Sequence, residues 1–186
     1  MGMVSAQSAR VFELYGGYAN PKGMNGGLQF GGSYGMAIDE RVDLSFGLSY
    51  FGSRKVDKTV REEAEDGDGV EVDKVTQTTD YSNTLLPLTA NVTIKFPMQL
   101  PLCWYVGAGV AYEFLIVKKT TFTGFGWTAR AGVEYIIGSR SSLLFEATYN
   151  SCKPRANRDE NDGVKTWDEV NVSGFGIHVG LRFEIY

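Results

Sequence analysis

Three observations predict an all-β chain whose strands close into an eight-stranded antiparallel up-and-down barrel. Eight segments carry an apolar residue at every second position, their connectors alternate short and long, and helical spacing nowhere competes for more than a turn. At 186 residues and a net charge of −4, the chain suits one domain, and mild acidity without a basic cluster argues against a nucleic-acid partner. The 23 glycines, 11 Phe, 10 Tyr and 3 Trp, against 5 prolines, fit a closed sheet better than a helical bundle.

Each segment is read from one parity. The first, about 9–19, sets Phe12, Leu14, Gly16 and Tyr18 on one face, and the second, 26–38, sets Leu28, Phe30, Gly32, Tyr34, Met36 and Ile38. The third starts at 42 with Val42, Leu44, Phe46, Leu48 and Tyr50; the fourth ends at 96 after Leu86, Leu88, Ala90, Val92, Ile94 and Phe96. Segment five (103–119) gives Trp104, Val106, Ala108, Val110, Tyr112, Phe114 and Ile116, and segment six (123–137) gives Phe125, Trp127, Ala129, Ala131, Val133, Tyr135 and Ile137. Segment seven (142–150) contributes Leu143, Phe145, Ala147 and Tyr149, and the last, 172–186, contributes Phe175, Ile177, Val179, Leu181, Phe183 and Ile185. Connectors 39–41, 97–102 and 138–141 are short, whereas 20–26, 53–80, 119–123 and 151–168 form the longer set. In a membrane barrel such alternation puts short turns on one side and loops on the other, with both termini on the short-turn side.

The opposite parity decides which face looks inward. It carries Glu13, Lys95, Glu113, Arg130, Glu134, Glu146, His178, Arg182 and Glu184 among small polar residues such as Ser33, Asp43, Ser45, Asn91 and Thr128. On the apolar parity, aromatics cluster toward the segment ends. Tyr18, Phe30, Tyr50, Phe114, Phe125, Trp127 and Tyr149 fall near one end, and Phe96, Trp104, Tyr135 and Phe183 near the other. Two aromatic bands around a more aliphatic middle match the girdles of a barrel in a bilayer. The greasy face is therefore expected to meet lipid, and the charges to pair inside a lumen that eight strands leave only wide enough for side chains. A gate or ion path is the functional reading of those charges, and a plug of paired ions the expected one. A soluble lipocalin-like barrel would need its apolar residues in the cavity, and no Gly-x-Trp opens the first segment. No run of 18 apolar residues provides a transmembrane helix, which leaves strands untouched.

The strands GLQFGGSYGMAI, WYVGAGVAYEF, FGWTARAGVEYII and GLRFEIY, with the loop alternation, resemble the small eight-stranded outer-membrane barrels of Gram-negative bacteria, the OmpA transmembrane domain and OmpX group. The resemblance runs from about Ser8 to Tyr186 and implies a monomeric, multi-pass barrel in the outer membrane with both termini periplasmic. It implies lipid and lipopolysaccharide as surroundings and a role in adhesion, surface interaction or envelope integrity. The similar OmpW group implies an alternative: a narrow channel or lateral exit for small hydrophobic solutes. Residues 1–7 are read as a leader remnant or tag and 8–186 as the barrel domain. The family's assembly signal sets a terminal aromatic on the lipid-facing parity, from which Tyr186 falls one step off.

Catalytic, metal and cofactor sites are not expected. Related lipid A deacylases place a serine two residues after a lipid-facing histidine, whereas His178 has lumen parity and is followed by Gly180. Cys103 and Cys152 fall at opposite ends of the barrel, too far apart for a disulfide. The acidic stretch REEAEDGDGVEVD matches a calcium loop at Asp66 and Asp68 but has Val70 where the third ligand belongs. Its glycines instead predict a turn at about Asp66–Gly69, so that segments three and four project beyond the membrane as one long hairpin with exposed edges. Extracellular protein partners are expected at loops 53–80 and 151–168, where Lys153, Arg155 and Arg158 are also candidates for lipopolysaccharide phosphates.

Overall fold

The computed structural model describes residues 9–62, 74–98, 101–117, 120–158 and 166–185. Residues 1–7, the expected turn at Asp66–Gly69 and Tyr186 lie outside them. The strands in chain order are β1 (Arg10–Pro21), β2 (Gly27–Asp39), β3 (Val42–Glu62), β4 (Lys74–Pro97), β5 (Leu102–Val117), β6 (Thr120–Ile136), β7 (Ser141–Cys152), β8 (Arg155–Arg158), β9 (Thr166–Glu169) and β10 (Gly174–Ile185). Every pairing is antiparallel: β1 to β7 follow one another round the wall, β7 pairs with β10, and β10 returns to β1. Those eight strands close the barrel, and β8 and β9 form a hairpin outside the circle.

Closure leaves each strand one inner and one outer face, and the period-2 pattern partitions between them. Leu28, Phe46, Val110, Phe125 and Ile177 are exposed, while Glu13, Asp43, Thr93, Glu134, His178 and Arg182 are buried. The molecule thus turns its apolar parity outward and buries charged and polar side chains, the inverse of a soluble barrel. Glycines on the inner face make room for large neighbours. A Cβ at Gly17 would lie 2.7 Å from the His178 ring, and one at Gly132 would lie 2.6 Å from the Tyr105 hydroxyl.

Two departures from a uniform wall matter. β2 pairs with β3 only as far as Leu28↔Gly52, and β5 reaches β4 only from Asn83↔Val117, yet the β3–β4 ladder continues to Glu62↔Lys74. Arg54–Glu62 and Lys74–Ser82 therefore form a ribbon of about 30 Å at the rise of an antiparallel strand. Lower in the same ladder, Leu48↔Leu88 and Phe51↔Leu85 pair, but Ser49 with Pro87 and Tyr50 with Leu86 do not. Pro87 has no N–H to give, so the wall lacks backbone bonds there.

Segment 151–168, expected as one of the long loops, holds the β8–β9 hairpin. The physical reason is an unfilled edge. β7 covers β6 only up to Gly126↔Cys152, so the first residues of β6, paired with β5 on one side, are left open on the other, where β8 reaches back at Thr123↔Arg155.

Candidate functional site: the filled lumen and the loop-end surface

The half of the lumen nearer the short turns is held by ions. Register sets Glu13 opposite Arg182 and Glu146 opposite His178 on the inner face. Arg182 donates from Nη1 to Glu13 Oε1 (3.0 Å) and from Nη2 to Asp43 Oδ2 (2.6 Å), with Glu134 Oε1 3.6 Å from its Nε. Arg130 donates to Glu13 Oε2 at 3.2 and 3.3 Å, pairs through Nε with Glu146, and stands 5.3 Å from the Tyr105 ring. Lys95 Nζ lies 2.9 Å from Asp43, Ser33 donates to Glu13 at 2.9 Å, and the Tyr105 hydroxyl donates to Glu146 at 3.0 Å. Three cations thus meet four carboxylates in one connected cluster.

Of the nine residues expected in an interior charge network, Glu13, Lys95, Arg130, Glu134, Glu146, His178 and Arg182 come together. Asp43, left out of that set although it shares the inner parity, bridges Lys95 and Arg182. Glu184 lies two residues past Arg182 at the short-turn end, half-buried. His178 donates from Nε2 to Gln29 Oε1 at 3.1 Å, the direction that an acceptor oxygen requires, and its Nδ1 is 3.9 Å from Glu146. A void of about 40 Å³ beside it, lined by Tyr15, Gln29, Pro87, Arg130 and Glu146, has room for two or three waters.

The half nearer the long loops corrects the expectation of a polar interior. Phe51, Leu85, Leu115 and Phe122 are paired in register across β3, β4, β5 and β6, forming an unbroken inward apolar row. Ala19 and three residues at or beyond strand ends, Met24, Cys152 and Val172, complete the cluster. The segment before β10 is tied down by Val170 N–H to Pro154 O (3.1 Å), Val172 N–H to Cys152 O (3.1 Å) and Lys22 N–H to Ser173 O (2.9 Å). The signal was present as doubled apolar residues (Tyr50-Phe51, Leu85-Leu86 and Phe114-Leu115-Ile116) at the loop ends of strands, where both parities turn greasy.

Glu113 is the second correction. It is fully buried, but it lies beside this apolar tier rather than in the ion cluster, opposite Pro87 and Gly124. Neither carboxylate oxygen has a hydrogen-bond acceptor-donor match, and the group beside it is the Cys152 thiol, a weak donor. Cys103, next to Trp104 at the short-turn end, and Cys152 are both unbridged.

On the outer wall, Tyr18, Phe30, Tyr50, Phe96, Trp104, Trp127, Tyr135 and Phe183 are exposed, and Phe114 and Tyr149 are half-buried among other rings. Tyr149 stands 5.3 Å from Trp127 and 4.7 Å from Phe175, and Tyr112 stands 4.9 Å from Phe114 and 4.7 Å from Phe125. Phe12, Tyr34 and Phe46 extend a row from Phe183 across neighbouring strands, so rings also occur outside the two expected bands.

This architecture has counterparts among solved structures. Neisserial surface protein A is 14% identical, with 96% of this chain and 97% of that chain covered at a TM-score of 0.62. OprG of Pseudomonas aeruginosa is 15% identical, with 96% and 97% covered at 0.63, and outer membrane protein W of E. coli is 12% identical, with 97% and 100% covered at 0.54. At these identities the likeness is one of fold. A search of curated proteins finds no significant match. The family described as "Outer membrane protein beta-barrel domain" matches residues 2–183, and this chain, a closed eight-stranded transmembrane barrel of the bacterial outer membrane, belongs to it.

Proposed function

We propose that the barrel is a filled, non-catalytic anchor that displays a protein-binding edge at the cell surface, with short turns and termini periplasmic and the aromatic rings at the two membrane interfaces. The observation that carries this reading is the β3–β4 ribbon, whose residues Arg54–Glu62 and Lys74–Ser82 pair, among the described residues, only with each other. Their outer edges hold unpaired backbone N–H and C=O groups, and an extended segment of another protein gains main-chain bonds by adding a strand. Adherence of bacteria displaying the full chain, scored on immobilised extracellular-matrix proteins and epithelial monolayers, tests it. Removing residues 56–76 or introducing Thr59→Pro at the edge should abolish adherence while heat-modifiable migration persists. Undiminished adherence of both variants would overturn the reading.

The unpaired stretch at Pro87 favours a second reading, lateral passage of small hydrophobic solutes. Pro87 borders two lumen voids, of about 40 and 20 Å³, where the β3–β4 ladder lacks its bonds. Under this reading Pro87→Val, which restores a donor, slows solute entry into proteoliposomes. Entry no faster than into protein-free vesicles would end it.

A further inference from the structure

The outer wall at the loop end of β6 carries an arrangement that neither the lumen nor the ribbon uses. Trp127 faces Ser151 and Thr123 faces Arg155, so Phe125 and Lys153 fall between those pairs. Thr123, Phe125 and Trp127 share the outward parity, and Phe125, at 80% exposure, is the most exposed large apolar residue among those described. Gly124 and Gly126 let the backbone of 151–154 lie close. A Cβ would come 2.8 Å from Pro154 Cα at the first and 2.3 Å from Ser151 O at the second. Between β6 and this segment lies an open groove of about 450 Å³, with Phe125 and Trp127 on its wall and Lys153 and Arg155 at its rim.

The two cations are 61% and 62% exposed along their side chains, and both lean on one carboxylate, Glu169. Arg155 donates to Glu169 Oε2 from Nε at 3.0 Å and pairs through Nη2 at 2.8 Å, and Lys153 Nζ stands 3.5 Å from Oε1. Among the described side chains the rim therefore sets two cations against one carboxylate, an excess of one positive charge. Aromatic rings on the lipid-facing parity, directly below an excess cation, complement a molecule whose greasy tail lies in the bilayer and whose anionic head stands at its surface.

We propose that this groove binds a phosphate-bearing anionic lipid of the surrounding leaflet, its phosphate on Lys153 and Arg155 and an acyl chain along Phe125 and Trp127. Dissolved phosphate has the same headgroup chemistry but no use for the rings. In the full chain carrying W104F and W167F, Trp127 is the only tryptophan and reports the groove. The protein is folded into phosphatidylcholine vesicles doped with bromine-labelled phosphatidylglycerol or, at the same fraction, bromine-labelled phosphatidylcholine. One uncompensated cation near a membrane surface predicts about fivefold preference for phosphatidylglycerol in quenching Trp127. K153Q with R155Q should bring that ratio to about one, and E169Q, which removes the competing carboxylate, should raise it above the unmodified protein's. Millimolar glycerol 3-phosphate should leave the ratio unchanged. A ratio near one in the unmodified protein, a preference surviving K153Q/R155Q, or reversal by glycerol 3-phosphate would each overturn the proposal, the last by making the occupant a soluble phosphate. Heat-modifiable migration shows that each variant is folded, and the gain expected of E169Q is one that damaged folding does not mimic.

Discussion

The two halves of the lumen fill the same tube by opposite means. Toward the short turns, Arg130, Arg182 and Lys95 thread four carboxylates into one ion cluster, and toward the loops Phe51, Leu85, Leu115 and Phe122 close the bore by apolar contact. The difference teaches that a buried ion cluster and an apolar tier specify a barrel differently. Desolvation offsets much of what the ions gain, so the cluster adds little net stability while making the loss of any one member costly. The apolar tier gains by area and tolerates a change of shape better than a change of volume. Glu113 sits at the boundary with the charge of one half and the surroundings of the other.

The largest expected effect breaks the ionic half. Arg182→Met leaves Glu13, Asp43 and Glu134 without their shared cation and should cost about 3–5 kcal/mol. The measurement is the urea midpoint of the barrel in phosphatidylcholine vesicles, followed by tryptophan fluorescence. A loss under about 1 kcal/mol would show that the cluster is not a unit. Leu115→Ala, at a fully buried position of the apolar row, should cost about 3 kcal/mol in the same assay. If the two halves are independent, the double variant should lose the sum within about 0.5 kcal/mol, and a larger discrepancy would make them one core.

Glu113→Gln sharpens the boundary. The carboxylate has only a thiol beside it, so removing its charge should leave stability within about 1 kcal/mol of the parent or raise it. The same exchange at Glu13, which accepts from Ser33, Arg130 and Arg182, should be clearly destabilising. Equal losses at the two positions would erase the distinction between the tiers.

Strand number, parity and the long hairpin were legible because each rests on short-range periodicity, which eight repetitions reinforce. The bridge made by Asp43 was not, because it depends on bringing β3, β4 and β10 around one circumference, and parity says which residues point inward but not which ones meet. Glu113 shows the same limit from the other side. It shares parity with the ion cluster, but its register neighbours are Pro87 and Gly124, neither of which supplies a charge. The apolar tier was legible in principle, since Tyr50-Phe51 and Leu85-Leu86 break strict alternation. Reading a single parity discarded that signal. The β8–β9 hairpin follows from the unfilled edge of β6, which exists only once β7 is known to stop at Cys152.

The smallest effect separates pairing from burial. Glu169 is an ion-pair member like Glu13, but it stands in solvent, and the hydrogen bond from Arg155 holds its carboxyl below the ordinary value of 4.5. A carboxyl whose folded value is depressed binds fewer protons folded than unfolded in that range. Its contribution is therefore fully present above about 4.5 and is lost as pH falls through the lower folded value. Amide protection of 155–158 and 166–169, corrected for intrinsic exchange, should accordingly weaken as pH falls below about 4.5. Glu169→Gln should flatten that dependence. Because the pair is exposed, molar salt should also flatten it, whereas the protection of β1 and β10 around the Glu13–Arg182 pair should not respond to salt. Equal salt sensitivity at the two places would mean that water reaches the lumen cluster, and the ionic half would then be a wet path rather than a plug.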